Sequence, residues 1–217
     1  MPPIVSIVGK SKSGKTILIE KLIPELKSRG YRVATIKHAP RGMTLNELDK
    51  DSWRHIQAGS KATAISSPNK LALVKPTVSD VTLNELARLF GEDYDLILTE
   101  GFKQDSAPKI EVHRREVGPL LSGVKKLIAV VTDEPLETKT RQFSPQDIKG
   151  LANLLEEGFI RPQGEQISLY INNTPIPLSS FPKEIISKVL LTMVSCLKGV
   201  GEIRSLDFFL KRKPSKD

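Results

Sequence analysis

One eight-residue segment near the start of the chain restricts the fold more than any other. Residues 9–16 read Gly-Lys-Ser-Lys-Ser-Gly-Lys-Thr and match the phosphate-binding pattern G-x-x-x-x-G-K-[ST]. The apolar run Ile4–Val8 precedes this loop, and the largely apolar residues 17–23 follow it. Because the pattern requires a strand before it and a helix after it, we predict an α/β fold of the P-loop NTPase class. Such a fold has a mostly parallel central sheet flanked by helices.

The positions within this loop have separate chemical roles. Gly9 and Gly14 allow positive φ angles, so successive amide groups can point at a phosphate beside the positive end of the helix dipole. We expect Lys15 to contact the β- and γ-phosphates and the Thr16 hydroxyl to ligate Mg²⁺. The other loop residues predicted to bind nucleotide are Lys10, Ser11, Lys12 and Ser13. For the two lysines, contact with a phosphate across a dimer and a solvated position both stay open.

A second apolar run, in residues 94–103, carries a candidate magnesium ligand. Asp95 enters this predicted strand and Glu100 leaves it, about 16 Å away at roughly 3.3 Å per residue. Nucleotides bind at the carboxyl ends of parallel strands, so we predict Glu100 as the Mg²⁺-coordinating carboxylate and Asp95 as a solvated strand start. Gly101 lets the backbone turn close to the ligand, and Lys103 adds a cation there.

Charged residues also follow two further predicted strands. Residues 32–38 end in Lys37 and His38, which would lie at the same edge of the sheet, either in the site or as a solvated strand end. Residues 126–133 form a buried strand that ends in Asp133. In GTP-binding proteins of this architecture, an Asp after a late strand can read the guanine edge. The usual Asn-Lys-x-Asp pattern is absent, so Asp133 is a candidate for base recognition without that support.

Several helices are marked by capping signals. We predict a helix over residues 15–29 that ends before Gly30, a helix over residues 83–90, and a helix that stops at Gly158. Further strands are predicted at residues 71–74 and 108–114. The predicted N-caps are Thr44, Thr82 and Ser144, with Asp51 or Ser52 as candidates for a short helix through Ala58.

The last quarter of the chain is predicted to form a separate small unit. A linker at residues 161–164 follows a nucleotide-binding domain of residues 1–160, and residues 165–212 read as a β-β-α-β extension before a tail at 213–217. The expected elements are strands at residues 167–171, 175–178 and 203–210 and a helix at residues 183–198. Its apolar stripe of Ile186, Leu190, Met193 and Leu197 is interpreted as core or subunit interface.

Composition restricts the compartment and the partners. The formal charge of +8 is spread evenly, with 24 Lys and Arg against 20 Asp and Glu in residues 1–160 and 9 against 5 in the remainder. Aromatic residues do not alternate with basic ones, so no nucleic-acid partner is expected. The single cysteine, Cys196, cannot form an internal disulfide, and its apolar neighbours suggest a buried thiol. No apolar run reaches 18 residues, and we expect a cytoplasmic protein without membrane contact.

Taken together, these segments resemble the molybdopterin-guanine dinucleotide biosynthesis protein B family, the MobB proteins. The resemblance covers roughly residues 4–158, and its most specific parts are Thr-Ile-Lys-His at 35–38 and Glu-Gly-Phe-Lys at 100–103. Supporting matches are Lys-Asp-Ser at 50–52 with Arg54, Ala-Val-Val-Thr-Asp at 129–133 and Ser-Pro-Gln-Asp at 144–147. The family often has further histidines after this Lys-His pair, whereas this chain continues Ala-Pro-Arg.

The resemblance implies a GTP-binding protein with weak GTPase activity, usually a homodimer. It would act beside a nucleotidyltransferase partner that joins GMP to molybdopterin. In that reading Lys15 and the loop amides hold GTP, and Thr16 and Glu100 organise Mg²⁺. Lys37, Arg54 and Lys103 would face a second anion such as the molybdopterin phosphate.

Two other function classes remain as alternatives. A small-molecule kinase would use the same loop but needs an arginine-bearing lid, and no arginine-rich lid is evident between the predicted strands. A metallochaperone-type GTPase needs clustered His or Cys ligands, whereas the three histidines and the single cysteine are scattered without ligand spacing. A binding protein whose loop never hydrolyses nucleotide is a further possibility.

Overall fold

The computed structural model describes residues 1–39, 50–162, 167, 169–172, 174–203, 206–208 and 210. The chain divides into two compact units, Met1–Gly164 and Glu165–Asp217. The strands of the first unit are β1 (Ile4–Val8), β2 (Val33–Lys37), β3 (Thr63–Ser67), β4 (Lys70–Val74), β5 (Leu96–Glu100), β6 (Lys109–Val112), β7 (Leu127–Val131) and β8 (Arg141–Phe143). Its helices are α1 (Lys15–Ser28), α2 (Lys50–Gln57), α3 (Leu83–Arg88) and α4 (Ile148–Leu155), which continues as a π-helical turn at Glu156–Ile160.

The central sheet has six strands in the order β2-β5-β1-β6-β7-β8, and every neighbouring pair in it is parallel. The predicted α/β class with a parallel sheet flanked by helices is therefore confirmed. Strand β1 lies in the middle, and the register aligns the carboxyl ends of its neighbours with its own. Glu100 stands opposite Ile7 on one side and Lys37 on the other, and Glu111 stands opposite Val8.

Helices cover the sheet on both faces because its strands alternate their apolar side chains between the two faces. Helix α1 buries Leu18, Leu22 and Leu26, spaced four residues apart, in the same core cluster as residues of α4. A second cluster forms on α3, where Leu83 packs with residues of β2 and β5. The chain carries the phosphate loop between β1 and α1, at the carboxyl edge of this layered structure.

The capping predictions have mixed outcomes. Thr82 forms the predicted capping box, because its hydroxyl accepts from the Glu85 amide and the Glu85 carboxylate accepts from the Thr82 amide. The prediction for Ser144 is wrong, since α4 begins after Asp147, whose carboxylate accepts from the Gly150 amide at 2.9 Å. Helix α2 begins at Lys50, so Asp51 and Ser52 lie within the helix and cap nothing. Thr44 lies outside the described residues.

The strand predicted at residues 71–74 is found as β4, whereas β3 and β8 were not predicted. The predicted strand at residues 71–74 is half of an antiparallel hairpin, in which β4 pairs with β3. The edge strand β8 was not predicted, because only Phe143 of its three residues is buried. Strands β3 and β8 both lack the continuous apolar run that marks the central strands.

In the second unit, β9 (Leu169–Ile171) pairs antiparallel with β10 (Thr174–Ile176), followed by α5 (Ser180–Ser195). The described residues between 203 and 210 belong to no strand, so the predicted last strand is not found there. Cys196 is exposed, which contradicts the expected buried thiol. Met193 on α5 and Leu197 just beyond it are also exposed, and α5 has no buried residue. Within the described part of the chain, we find no helix with the length and apolar character to span a membrane.

Candidate functional site

The loop between β1 and α1 depends on its first glycine. Gly9 has a φ of 148°, and a Cβ at this position would lie 2.4 Å from the Val112 carbonyl oxygen and 2.7 Å from Ser13 Oγ. Neither contact is sterically possible for a larger residue. Gly14, with φ 96°, ends the loop directly before α1, and Lys12 also has a positive φ of 64°. The predicted turn therefore has the conformation that needs glycine at both ends.

Lys15 is folded back over the loop. Its ammonium group donates to the Lys10 carbonyl oxygen at 2.7 Å. Burial lowers the pKa of Lys15, Glu100 opposes that change, and the nearby Lys103 and Lys37 add to it. A half-buried ammonium held by one carbonyl oxygen can be stabilised further by an anionic ligand.

The two residues predicted to ligate Mg²⁺ are in direct contact. Thr16 Oγ1 donates to Glu100 Oε2 at 3.0 Å, across 84 residues of sequence. The Glu100 side chain is 18% exposed, whereas Asp95 lies at the opposite end of β5 and accepts from the Arg32 amide at 2.6 Å. A hydroxyl and a carboxylate are hard oxygen ligands of the kind that Mg²⁺ prefers. The donor set at Thr16 and Glu100 thus fits a magnesium ion.

Lysine side chains surround this carboxylate. Lys37 Nζ lies 3.6 Å from Glu100 Oε2, and the Lys37 side chain is 67% exposed. Lys103 is close enough to Lys15 to lower its pKa. One acid is therefore accompanied by three cations at the carboxyl edge of the sheet. Such a concentration of positive charge attracts an anion with several negative charges.

The turn after Glu100 is built from predicted and unpredicted residues. Gly101 has a φ of 106°, and a Cβ there would lie 3.1 Å from the His38 Cβ. The His38 amide donates to the Glu100 carbonyl oxygen at 3.0 Å, and its ring stacks on Phe102 at 4.8 Å between centroids. His38 therefore supports the turn, and it is an exposed residue.

A buried lysine, not singled out from the sequence, holds the loop that carries Lys103. The Lys109 side chain is fully buried, and its ammonium group donates to the carbonyl oxygens of Asp105 and, at 2.8 Å, Ala107. Burial lowers the pKa of Lys109, and Asp105 opposes that change. Its position in an alternating strand gave no signal of this role, because exposed and buried lysines look identical in sequence.

The far side of the loop is occupied by an arginine and an aspartate. Asp133 follows β7, and its carboxylate accepts from Arg114 Nη1 at 3.2 Å and from the Arg115 amide at 3.3 Å. A Cβ on Gly14 would lie 3.6 Å from Arg114 Nη2, so the guanidinium lies against the loop. Sequence reasoning missed Arg114. The signal was its position two residues after the end of β6, at the edge of the sheet where Lys37 ends β2.

The remaining predicted residues are placed less centrally. Arg54 is paired with Asp51 at 3.3 Å on α2, its side chain is 81% exposed, and no described contact joins it to the loop. Ser13 is buried, and its hydroxyl has no partner among the described residues. Lys10 Nζ lies against Gly118, while Ser11 is exposed. Searching the described residues finds no group of three His, Cys, Asp or Glu that could hold a metal ion.

Comparison with known proteins identifies the family. The model of the molybdopterin guanine dinucleotide synthesis protein B family, MobB, matches residues 4–133 of the 217-residue chain. The chain belongs to this family. The same conclusion follows from similarity to the molybdopterin-guanine dinucleotide biosynthesis adapter protein of Haemophilus influenzae, which is 40% identical over 156 residues, or 71% of this chain and 88% of the relative. The recognition of MobB-like segments in the sequence is confirmed.

Further relatives and solved structures agree with this assignment. The adapter protein of Escherichia coli is 34% identical over 170 residues, covering 76% of this chain and 97% of its own. A crystal structure of molybdopterin-guanine biosynthesis protein B superposes with a TM-score of 0.56 at 30% identity, over 72% of this chain and 99% of the other. The Bacillus subtilis MobB structure gives 0.57 at 26% identity, over 75% and 99%.

Proposed function

We propose that this MobB-family chain is a Mg²⁺-dependent GTP-binding adapter with weak GTPase activity in the biosynthesis of molybdopterin guanine dinucleotide. Family membership supports the biosynthetic adapter role. The observation that most supports the nucleotide site is the hydrogen bond between Thr16 and Glu100 beside a complete phosphate-binding loop. This arrangement puts a hydroxyl and a carboxylate at the start of α1, next to the loop amides.

In this proposal each loop residue has a defined task. The loop amides hold the β-phosphate, and Lys15 exchanges the Lys10 carbonyl oxygen for phosphate oxygens. The site would use the Thr16 hydroxyl and the Glu100 carboxylate to hold Mg²⁺, whose charge would neutralise the phosphates. The described partners of the Glu100 carboxylate are the Thr16 hydroxyl and the Lys37 ammonium. In this proposal the hydroxyl binds Mg²⁺ and the ammonium binds a second anion, so neither group is left to orient an attacking water. Slow hydrolysis is the expected result.

The lysines suggest a second anionic ligand beside GTP. Lys37 is largely exposed although it lies 3.6 Å from Glu100, and Lys103 lies on the adjacent loop. Once Glu100 is engaged with Mg²⁺, both ammonium groups are free to meet another phosphate. The names of the relatives point to molybdopterin, whose phosphate would fit this position. We further propose action as a cytoplasmic homodimer, with a partner nucleotidyltransferase that joins GMP to molybdopterin.

Isothermal titration calorimetry with GTP and Mg²⁺ tests the nucleotide site. We expect Lys15→Ala to weaken GTP binding by about 10-fold to 100-fold, because it removes a charge-assisted contact to phosphate. Glu100→Gln should leave Mg²⁺-free binding in place and abolish the gain in affinity that Mg²⁺ gives the wild type. Lys21→Ala removes an exposed lysine from α1 and serves as the matched control. Unchanged GTP affinity in Lys15→Ala, or equal affinity of the wild type for ATP, would contradict the proposal.

A further inference from the structure

Two contacts place Arg114 between the phosphate loop and Asp133. The guanidinium lies against Gly14, at the end of the phosphate loop, with Nη2 and Nε 3.6 Å and 3.8 Å from where a Cβ on Gly14 would be. The same side chain donates from Nη1 to Asp133 Oδ2 at 3.2 Å. It therefore joins the loop to the carboxyl end of β7, and its side chain is only 28% exposed.

The distance between the phosphate loop and the carboxyl end of β7 matches the length of a nucleotide. Strand β7 is two positions from β1 in the sheet, which amounts to about 10 Å at roughly 4.8 Å per strand. This is the order of the distance between the β-phosphate and the base of an extended nucleotide. A nucleotide whose phosphates occupy the loop and whose base lies on the β7 side thus brings that base to Asp133.

The Asp133 carboxylate can accept further hydrogen bonds from a ligand. Oδ1 accepts from the Arg115 amide and Oδ2 from Arg114, and each oxygen keeps a second lone pair for a ligand. Partial burial favours the neutral form, but these hydrogen bonds outweigh it, and the net effect lowers the pKa of Asp133. Two acceptors side by side complement the adjacent N1–H and N2–H donors of guanine. The same edge of adenine presents the N1 lone pair, which a carboxylate repels.

We propose that Arg114 is a specificity-determining positioning residue, which fixes the Asp133 carboxylate beside the phosphate loop so that this carboxylate selects guanine. This inference rests on the proposed nucleotide site and adds its base specificity. Arg114 acts through Asp133 and makes no contact with the reacting phosphate. Its removal should therefore change discrimination between bases while the phosphate end of the site continues to bind.

The test compares the affinities of Mg²⁺ complexes of GDP, IDP, XDP and pyrophosphate by calorimetry. IDP lacks the N2 amino group, so the wild type should prefer GDP to IDP by about tenfold or more, the usual value of a hydrogen bond to a charged group. Arg114→Ala should reduce that ratio to about threefold or less and leave pyrophosphate affinity within about twofold. Arg114→Lys should restore part of the ratio, because it keeps a donor for Asp133.

A second variant tests the inference through a gain of binding, which a folding defect cannot produce. Asp133→Asn replaces one acceptor by a donor, which matches the C2 carbonyl of xanthine, so we expect this variant to prefer XDP to GDP. Arg32→Ala is the matched control, since Arg32 forms an Arg–Asp pair with Asp95 at the opposite end of the strands. It should keep the wild-type ratio of GDP to IDP.

The outcomes separate this inference from the proposed function. An unchanged GDP-to-IDP ratio in Arg114→Ala would overturn it, as would a loss of pyrophosphate binding equal to the loss of GDP binding. The latter result would make Arg114 a phosphate ligand. If the wild type binds neither GDP nor pyrophosphate, the proposed nucleotide site itself fails.

Discussion

At the scale of single residues, Glu111 on β6 is a carboxyl group buried near the phosphate loop. Its side chain is 2% exposed, Oε1 accepts from the Leu121 amide at 2.7 Å, and Oε2 has no described partner. Burial raises the pKa of Glu111, while the Leu121 amide and the charges of His113, Lys103 and Lys10 oppose the change. A carboxylate that keeps one oxygen unsatisfied in the interior costs folding free energy when it is ionised.

We expect Glu111→Gln to stabilise the protein at pH 8 and to have little effect near pH 4. The folded pKa of Glu111 lies above the unfolded value of about 4.3, so the wild type loses stability as pH rises above about 4.3 and through the folded pKa. Glutamine stays neutral and keeps an oxygen for the Leu121 amide. Thermal unfolding of both proteins across this pH range measures the difference. A lower melting temperature of the variant at pH 8 would contradict a raised pKa of Glu111 in the folded protein.

Predictability from sequence varied among the site residues for physical reasons. The Thr16–Glu100 contact followed from strand polarity, because the sequence fixes which end of a parallel strand an acid occupies. Arg114 was missed because the contact of its guanidinium with Gly14 depends on how β6 packs beside β1. Arg54 was included on resemblance alone, and in the structure its described partner is Asp51.

At the scale of elements, α1 and α4 are joined by a charged cluster. Glu156, at the start of the π-helical turn after α4, is 8% exposed and accepts from Arg29 at 2.8 Å and Tyr31 at 2.9 Å. Arg161 completes the cluster, with Nη2 2.6 Å from Glu156 Oε1. The hydrogen bonds from Arg29, Tyr31 and Arg161 lower the pKa of Glu156 and outweigh its burial. The π-helical geometry thus coincides with a carboxylate that serves three donors.

We expect Glu156→Gln to destabilise the protein at pH 7 and to have progressively less effect below pH 4. The folded pKa of Glu156 lies below its unfolded value of about 4.3, so its contribution is present above that value and is lost as pH falls through the folded pKa. Denaturant unfolding at pH 7 and at pH 3 measures the two differences.

Glu184 provides the matched control for Glu156. Glu184→Gln removes an exposed ion pair of similar length, 2.6 Å, with Lys188 on α5. Because exposed pairs add little, this variant should change the free energy of unfolding by no more than about 1 kcal/mol. An equal effect of both variants at pH 7, or an effect of Glu156→Gln that does not change with pH, would show that the cluster does not stabilise the fold.

Element predictions succeeded where burial dominates and failed where local signals compete. The central strands β1, β5 and β7 are runs of apolar residues and were predicted from that pattern. Strand β8 has three residues, and its sequence carries no such signal. Ser144 and Asp147 both have side chains that can cap a helix, and tertiary packing of α4 on α1 decided for Asp147.

At the scale of the whole molecule, the fold shared with the MobB structures is smaller than the chain. The MobB structures are matched over 99% of their own lengths by 72–75% of this chain. Proteins of this family therefore fold with about a quarter fewer residues. The residues proposed to bind the nucleotide all lie within Met1–Gly164.

We expect a chain ended after Pro162 to fold cooperatively and to bind GTP and Mg²⁺ within about twofold of the full chain, because the phosphate loop, Glu100 and Asp133 all belong to the first unit. Calorimetry and thermal unfolding with and without GTP measure both properties. At a free ligand concentration of 100 times Kd, binding should add about 2.7 kcal/mol to the free energy of unfolding of either chain. At the same GTP concentration, Lys15→Ala in the shortened chain should reduce that gain to between about 0.4 and about 1.4 kcal/mol. A shortened chain that folds but does not bind GTP would show that residues after Pro162 complete the site.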